Sequence, residues 1–338
     1  MNPDRLHVLT GKYPSLRVAL VGDFCLDRYL EIDPARSEVS IETGLPVHNV
    51  VNVRAQPGAA GTILNNLSAL GLGRILPVGF CGLDGEGAEL QRAVAGRAGV
   101  AGAPLFATAE RRTFTYCKPL LLEPGRPPRE LNRLDTKNWT PTPAAVEDHI
   151  IAAVQTVAAE VDAMILLDQV DLPETGVITR RVLAAVGEVV AARPRLLVIA
   201  DSRRGLRGFP PVIFKMNAAE LGALTGTPPA FDAATLQATA LALARENGRA
   251  VFVTLSERGM IGAMPNGEVA WVPALPVRGP IDVVGAGDAV TANLTMALAA
   301  GATLREALEL ANAAASIVLH QVGTTGTASV AQLRDQLR

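Results

Sequence analysis

Short uninterrupted apolar runs alternate along this chain with longer stretches whose apolar positions recur at helical spacing. The runs cover 16–21, 163–167, 196–200 and 250–255. They are too brief for helices and show no polar alternation, which predicts strands covered on both faces. Helical spacing over 61–70, 86–98, 144–160, 174–192, 236–247 and 304–319 predicts the helices between them. Strands alternating with helices over this length predict an α/β fold with a doubly wound, mainly parallel sheet. Gly22-Asp23, Asp168, Asp201 and Ser256 stand at the strand ends, and in such sheets ligands sit beyond the C-terminal edge.

Two stretches break the alternation. Residues 28–56 carry Ile32, Val39, Ile41, Leu45, Val47, Val50 and Val53 with almost no helical period. Residues 111–135 carry Phe114, Tyr116, Leu120 and Leu122 before a Pro/Gly/Arg-rich turn. Both read as β-ribbons inserted into one domain spanning 1–338. Paired with each other they would form a small lid at the sheet edge, of the kind that excludes water from a reaction. The plainer reading is two long surface hairpins.

Composition narrows the partners. Hydrophobic residues make up 49% and aromatics only 4%, so the core is predicted to be aliphatic. A net charge of −2 gives no broad basic surface for nucleic acid or an anionic membrane, which leaves a small molecule as the expected ligand. Cys25, Cys81 and Cys117 form no CxxC pair, and the four histidines show no zinc spacing; reduced, buried thiols are expected. No apolar run of membrane-spanning length and no leader-like N-terminus is read, so a cytoplasmic location is expected.

The sharpest motif is Gly285-Ala286-Gly287-Asp288, which follows the Pro-rich connection after Val269–Val272 and opens an Ala-rich helix. Small residues let the backbone approach a ligand, and a helix start points unpaired N–H groups with partial positive charge at it. That makes an anion hole. Asp288, in the first turn, could accept a proton from an attacking hydroxyl. The plainer alternative is an ordinary glycine turn with a helix-start aspartate.

Other segments accompany it: Lys215-Met216-Asn217-Ala218-Ala219-Glu220, then Thr254-Leu255-Ser256-Glu257-Arg258-Gly259, then Asn312 in the last long helix. Near the N-terminus stand Gly22-Asp23-Phe24-Cys25-Leu26-Asp27 and the stretch 78–87 with its Gly79, Gly82, Asp84 and Gly87. In this order they resemble the ribokinase-like (PfkB) carbohydrate kinases, over nearly the whole chain. Within that family, 22–29, 39–47 and Arg133-Leu134-Asp135 resemble the domains that phosphorylate D-glycero-D-manno-heptose 7-phosphate. Those domains are often fused to a nucleotidyltransferase, for which this length leaves no expected room.

The resemblance implies ATP-dependent phosphorylation of a hydroxyl on a sugar or sugar phosphate, with Asp288 as base and Gly285, Ala286 and Gly287 as anion hole. It places Asn217 and Glu220 at the phosphates and Mg²⁺, Thr254, Ser256 and Gly259 along the nucleotide loop, and Asn312 near adenine. Asp282 and the Val284 carbonyl match a monovalent-cation site, suited to K⁺. Asp27 and Gly58 match sugar-binding positions, although a strand-end cap and a turn glycine would explain them as well. Arg133 is the basic ribbon residue assigned to a substrate phosphate; its neighbours read as a solvated face. Many relatives dimerise through the lid, and the apolar row on the first ribbon suggests the same homodimer here.

Departures cluster on the substrate side. The family's Gly-Gly-x-x-Asn is Gly58-Ala59-Ala60-Gly61-Thr62, so a hydroxyl replaces an amide at Thr62. Of the heptose kinases' Asp-Tyr-x-Lys-Gly only Asp168 is present, followed by Gln169-Val170-Asp171. Ser256 replaces a usual Gly, and Val283-Val284 a usual Thr pair. A non-catalytic sugar or nucleotide sensor on the same fold is the competing expectation, disfavoured by the presence of Asp288. A Rossmann dehydrogenase and a Walker-type NTPase lack their glycine motifs here.

Overall fold

The computed structural model describes residues 1–102, 105–227 and 232–337. An eight-stranded sheet runs in the order Val269–Val272, Met260–Ala263, Val251–Thr254, Ile213–Asn217, Leu197–Ser202, Ala163–Asp168, Arg17–Gly22, Arg74–Val78. All neighbours are parallel except at the first two pairings, where Met260–Ala263 runs antiparallel to both of its partners.

The uninterrupted apolar runs have a direct cause. Val18, Leu20, Ile165 and Leu167 face one buried cluster, and Ala19, Val21, Met164 and Leu166 face another on the opposite side. Alternate side chains of a strand point to opposite faces, so a strand between two helical layers needs apolar residues at every position. Helices Ala60–Ala69, Ala286–Ala299 and Leu304–Leu319 contribute to the first cluster, and Ala144–Ala158, Arg180–Ala192 and Ala233–Asn247 to the second. Small residues in Ala286–Ala299, buried from Ala289 to Ala297, let it lie close between its neighbours. The expected helix over 174–192 starts later, at Arg180, because Thr179 supplies the N-cap: its hydroxyl accepts from the Val182 N–H.

The two stretches outside the alternation pair with each other. Phe24–Ile32 lies antiparallel to Val50–Ala59 and parallel to Phe114–Leu121, and Arg129–Glu130 and Leu134–Thr136 pair with Phe114–Leu121 on its other side. The strands extend beyond the expected ribbons, to Phe24 and Ala59. Only Asp23 separates Phe24–Ile32 from the main-sheet strand Arg17–Gly22, and Val50–Ala59 runs directly into helix Ala60–Ala69. The small sheet is thereby anchored at the C-terminal edge of the large one. Ile32 is buried within the small sheet, opposite Val50 and beside Leu121, while Val39, Ile41, Leu45, Val50 and Val53 are exposed. Among the described residues no helix is long and apolar enough to cross a membrane.

Candidate active site

The connection from Val269–Val272 to Ala286–Ala299 is irregular, and helix Leu304–Leu319 holds it in place. Asn312 donates from its amide to the Pro273 carbonyl at 2.6 Å. The Asp282 N–H donates to the Leu319 carbonyl at 2.8 Å, and the Asp282 carboxylate accepts from the Val284 N–H (3.0 Å) and the Gly323 N–H (3.3 Å). These bonds deliver Gly285 as N-cap with φ 82°. A β-carbon there would lie 2.8 Å from Thr325 Cγ2, so both conformation and space require glycine. At Gly287 a β-carbon would stand 3.2 Å from Lys215 Nζ, so the lysine ammonium lies directly against the first helical turn.

Asp288 projects from that turn into a charged cluster. Lys215 Nζ, buried, contacts Asp201 Oδ2 at 2.6 Å, and the Thr291 hydroxyl donates to the same oxygen at 3.0 Å. Burial pushes the Asp288 carboxyl up to about 7, with Asp201 adding repulsion, Lys215 opposing, and Asp27 contributing further. Burial alone would drive the Lys215 ammonium toward neutrality, but Asp201, with smaller contributions from Asp288 and Glu220, more than offsets it and Lys215 titrates above its usual range. The result is a carboxyl that ionises near neutrality beside a helix N-terminus and a permanent cation. This suits proton acceptance next to a site for anionic charge.

Facing it is a cavity of about 220 Å³ lined by Gly285, Asp288 and the adjacent Thr62, together with Asp27, Lys118 and Arg133. Asp27 sits on Phe24–Ile32 opposite Gln56, with Lys118 Nζ 3.5 Å from its carboxylate. Burial raises the Asp27 carboxyl, and Lys118 partly restores its ionisation. Gly58 is needed for room: a β-carbon there would come within 2.7 Å of Asp27 Oδ2. Arg133 bonds Asp135 at 2.8 Å and lies over the Tyr116 ring, 4.9 Å from its centroid. Asp288, Gly285, Asp27, Thr62, Arg133 and Val284 thus meet at one cavity, although the sequence places them over more than two hundred residues.

The remaining candidates lie along the main-sheet edge. Asn217 and Glu220 form a capping box on Ala218–Thr225: the Asn217 side chain accepts from the Glu220 N–H, and the Glu220 carboxylate from the Asn217 N–H. Thr254 is the register partner of Asn217. Ser256 (φ 52°) and Gly259 (φ 92°) shape the turn that follows. Ala59 has φ 54° and also lines the cavity. Ala59 and Ser256 both stand where the family pattern has glycine, so the left-handed backbone persists at both after the residue that favours it is gone. Among the described residues no group of three or more His, Cys, Asp or Glu is placed to hold a metal ion.

Several lining residues have no substrate-binding role assigned from the sequence, Arg203 being expected only to line a nucleotide site or to cap the sheet. Lys137, Gln169 and Thr325 contribute to the cavity, as do Lys118, Asp171 and Arg203. Lys137, Asp171 and Arg203 each follow a strand, Leu134–Thr136, Ala163–Asp168 and Leu197–Ser202 respectively. Their position just past strand ends was the available signal. Arg111, by contrast, is a structural clamp: its buried guanidinium donates to the Thr140 hydroxyl at 3.1 Å and to the Thr175 carbonyl at 3.4 Å.

Comparison with known proteins bears on the fold and the family. The chain is 32% identical over 326 residues to the bifunctional protein HldE of Gluconacetobacter diazotrophicus, covering 96% of this chain and 64% of that one. It is 32% identical over 323 residues to the HldE of Caulobacter vibrioides, covering 95% and 63%. The chain therefore spans less than two thirds of the length of these relatives. Among solved structures it resembles Arabidopsis thaliana ribokinase complexed with ribose and ATP, with TM-score 0.68, 19% identity, and coverage of 96% of this chain and 99% of that one. It also resembles Escherichia coli phosphofructokinase-2 in a mutant form, with TM-score 0.70, 16% identity, and coverage of 96% and 100%. Both likenesses establish the ribokinase-like fold. Residues 132–331 match the pfkB family carbohydrate kinases, and with these relatives they show that the chain belongs to that family.

Proposed function

We propose that the protein transfers the γ-phosphoryl group of ATP to a hydroxyl of a sugar or sugar phosphate bound in the cavity between Asp27 and Asp288. The observation that carries this reading is Asp288, a carboxyl raised to about 7 at the junction of a helix N-terminus and the cavity. Asp288 accepts the acceptor hydroxyl's proton as the oxygen attacks. N–H groups at Gly285 and Gly287, and that of Ala286 once it leaves its 3.3 Å bond to the Val283 carbonyl, would face the charge on the transferring phosphoryl oxygens. Lys215, pinned by Asp201, adds a positive charge beside that turn.

Nucleotide would lie along the main-sheet edge past Asn217, Thr254, Ser256 and Gly259, with Asn312 fixing the loop beside adenine. Mg²⁺, when bound, would offset phosphate charge, with Asn217 and Glu220 nearest to it. Asp282 and the Val284 carbonyl would hold a monovalent cation such as K⁺, ordering the loop that carries Gly285. Asp27, Gly58, Thr62 and Arg133 orient the acceptor, for which the resemblance to heptose 7-phosphate kinases supplies one candidate. The small sheet serves as the lid, and the exposed row Val39, Ile41, Leu45 and Val53 supports a homodimer through it.

A panel of sugars and sugar phosphates screened for ADP release tests the reading. The expected result is ATP- and Mg²⁺-dependent turnover with at least one acceptor, reduced about 10²–10⁴-fold in Asp288→Asn, the usual worth of a general base. Near-wild-type turnover in that variant would remove Asp288 from the role.

A further inference from the structure

Among the described residues, four cations line the cavity: Lys118, Arg133, Lys137 and Arg203. A phosphorylated acceptor would require such groups, because a dianion leaving water needs charge-assisted hydrogen bonds in exchange. Each of the four already meets a carboxylate of the protein. Lys118 contacts Asp27 at 3.5 Å and Arg133 contacts Asp135 at 2.8 Å. Lys137 and Arg203 share a single partner: Asp171 Oδ2 lies 2.7 Å from Lys137 Nζ, and Asp171 Oδ1 lies 3.2 Å from Arg203 Nε.

One anion bridging two cations from two different sheets is the contact a phosphate would make there. Lys137 comes from the end of the small sheet and Arg203 from the edge of the large one. Asp171 also stands at the fourth position of the segment that resembles the heptose kinases' Asp-Tyr-x-Lys-Gly, so an acidic residue occupies the position where that pattern has a basic one. The hydrogen bond from Lys137, helped by the charges of Arg203 and Arg133, holds the Asp171 carboxyl below its ordinary range and keeps it ionised at neutral pH.

We propose that Asp171 is a specificity-determining residue: by filling the anion seat between Lys137 and Arg203, it makes the cavity select an unphosphorylated, hydroxyl-rich sugar over a sugar phosphate. The proposal rests on the sugar-kinase reading and decides between the two acceptor classes that reading allows. Discrimination arises from an element that disfavours the wrong partner. An incoming phosphate must displace Asp171 or lie beside it, and either arrangement leaves like charges close together. Asp171 and Arg203 have side chains 47% and 57% exposed, so water screens the pair and the effect is about tenfold rather than thousandfold.

Two measurements test this. In the first, ADP release is followed with matched acceptors (ribose and ribose 5-phosphate, fructose and fructose 6-phosphate, mannose and mannose 6-phosphate) for the wild type and Asp171→Asn. The wild type is expected to favour the neutral member of any pair it uses, and Asp171→Asn to shift the ratio of kcat/KM values about tenfold toward the phosphorylated member. A wild type that favours the phosphorylated member, or a variant that leaves the ratio unmoved, overturns the proposal. In the second, the protein saturated with a non-hydrolysable ATP analogue is titrated calorimetrically with inorganic phosphate. Binding at least tenfold tighter in Asp171→Asn is expected, and equal affinity in the two proteins overturns the proposal. Absence of turnover on every pair would count against the sugar-kinase reading and leave this titration to decide the charge claim by itself.

Discussion

The two walls of the cavity are built differently. The wall carrying Gly285–Asp288 is made of backbone and helix, fixed by bonds from Leu304–Leu319 and by the buried Lys215–Asp201 pair. The wall carrying Asp27, Lys118, Arg133 and Asp171 is made of side chains on a small sheet and on strand-end loops, several of them partly exposed. The first wall keeps Gly285-Ala286-Gly287-Asp288 but departs from the family pattern at Val283-Val284 and at Thr62 beside Gly285, while the second departs at Gln169 and Asp171. Chemistry common to a family can be fixed by backbone geometry. Partner choice rests on side chains that change without disturbing the sheet.

Breaking the first wall should have the larger effects. Lys215→Met strips the partner from Asp201 and leaves two carboxyls facing each other; a loss of about 3 kcal/mol in stability is expected by chemical denaturation. Adding Asp201→Asn to it should recover most of that loss. A single variant with unchanged stability would show that the pair is not coupled to the core. Next in size, replacing K⁺ by a bulky organic cation at matched ionic strength should slow turnover severalfold if Asp282 and Val284 hold a cation. Equal rates would remove that site.

Smaller effects concern backbone strain and charge. Ala59→Gly and Ser256→Gly should each stabilise the fold by about 1 kcal/mol, because the left-handed conformation costs glycine little. A lower melting temperature in both would mean that their side chains carry contacts outweighing the strain. Asp288→Asn should melt on the order of 2–4 °C above the wild type at pH 8. The sign follows from the raised carboxyl: the folded chain holds that proton more tightly than the unfolded one. Its contribution is therefore fully present only below about pH 4, where the unfolded carboxyl is also protonated, and is lost as pH rises from there through about 7, so the gap between variant and wild type should narrow steadily below pH 7 and close only below about pH 4.

The large sheet and the first wall were legible in the sequence for one physical reason. Strands buried on both faces leave uninterrupted apolar runs, and a helix that starts at a tight glycine turn shows small residues just before a helical period, so both leave local marks. Leu304–Leu319 and Val269–Val272 appear at the bounds the periodicity predicts. The second wall left weaker marks. Lys137, Asp171 and Arg203 come from three separate strand ends, and only the sheet order brings them together. No spacing in a sequence encodes that meeting. The structure also divides the first ribbon's apolar row, burying Ile32 in the monomer and leaving Ile41 outside, because Ile32 still lies in the long paired strand whereas Ile41 sits in the turn beyond it. If the outer part is the dimer contact, Ile41→Asp should yield a monomer by light scattering at micromolar concentration; an unaltered dimer would place the contact elsewhere.

The pH dependence of kcat/KM for the wild type, with the best acceptor found, tests the role of Asp288 most directly. Ionisation of a base raised to about 7 predicts a rise of tenfold per pH unit below that value and a plateau above it. Asp288→Asn should lose this inflection along with about 10²–10⁴-fold of its rate. A wild-type profile flat between pH 5 and 8, or an inflection near 7 that survives in Asp288→Asn, would contradict the assignment.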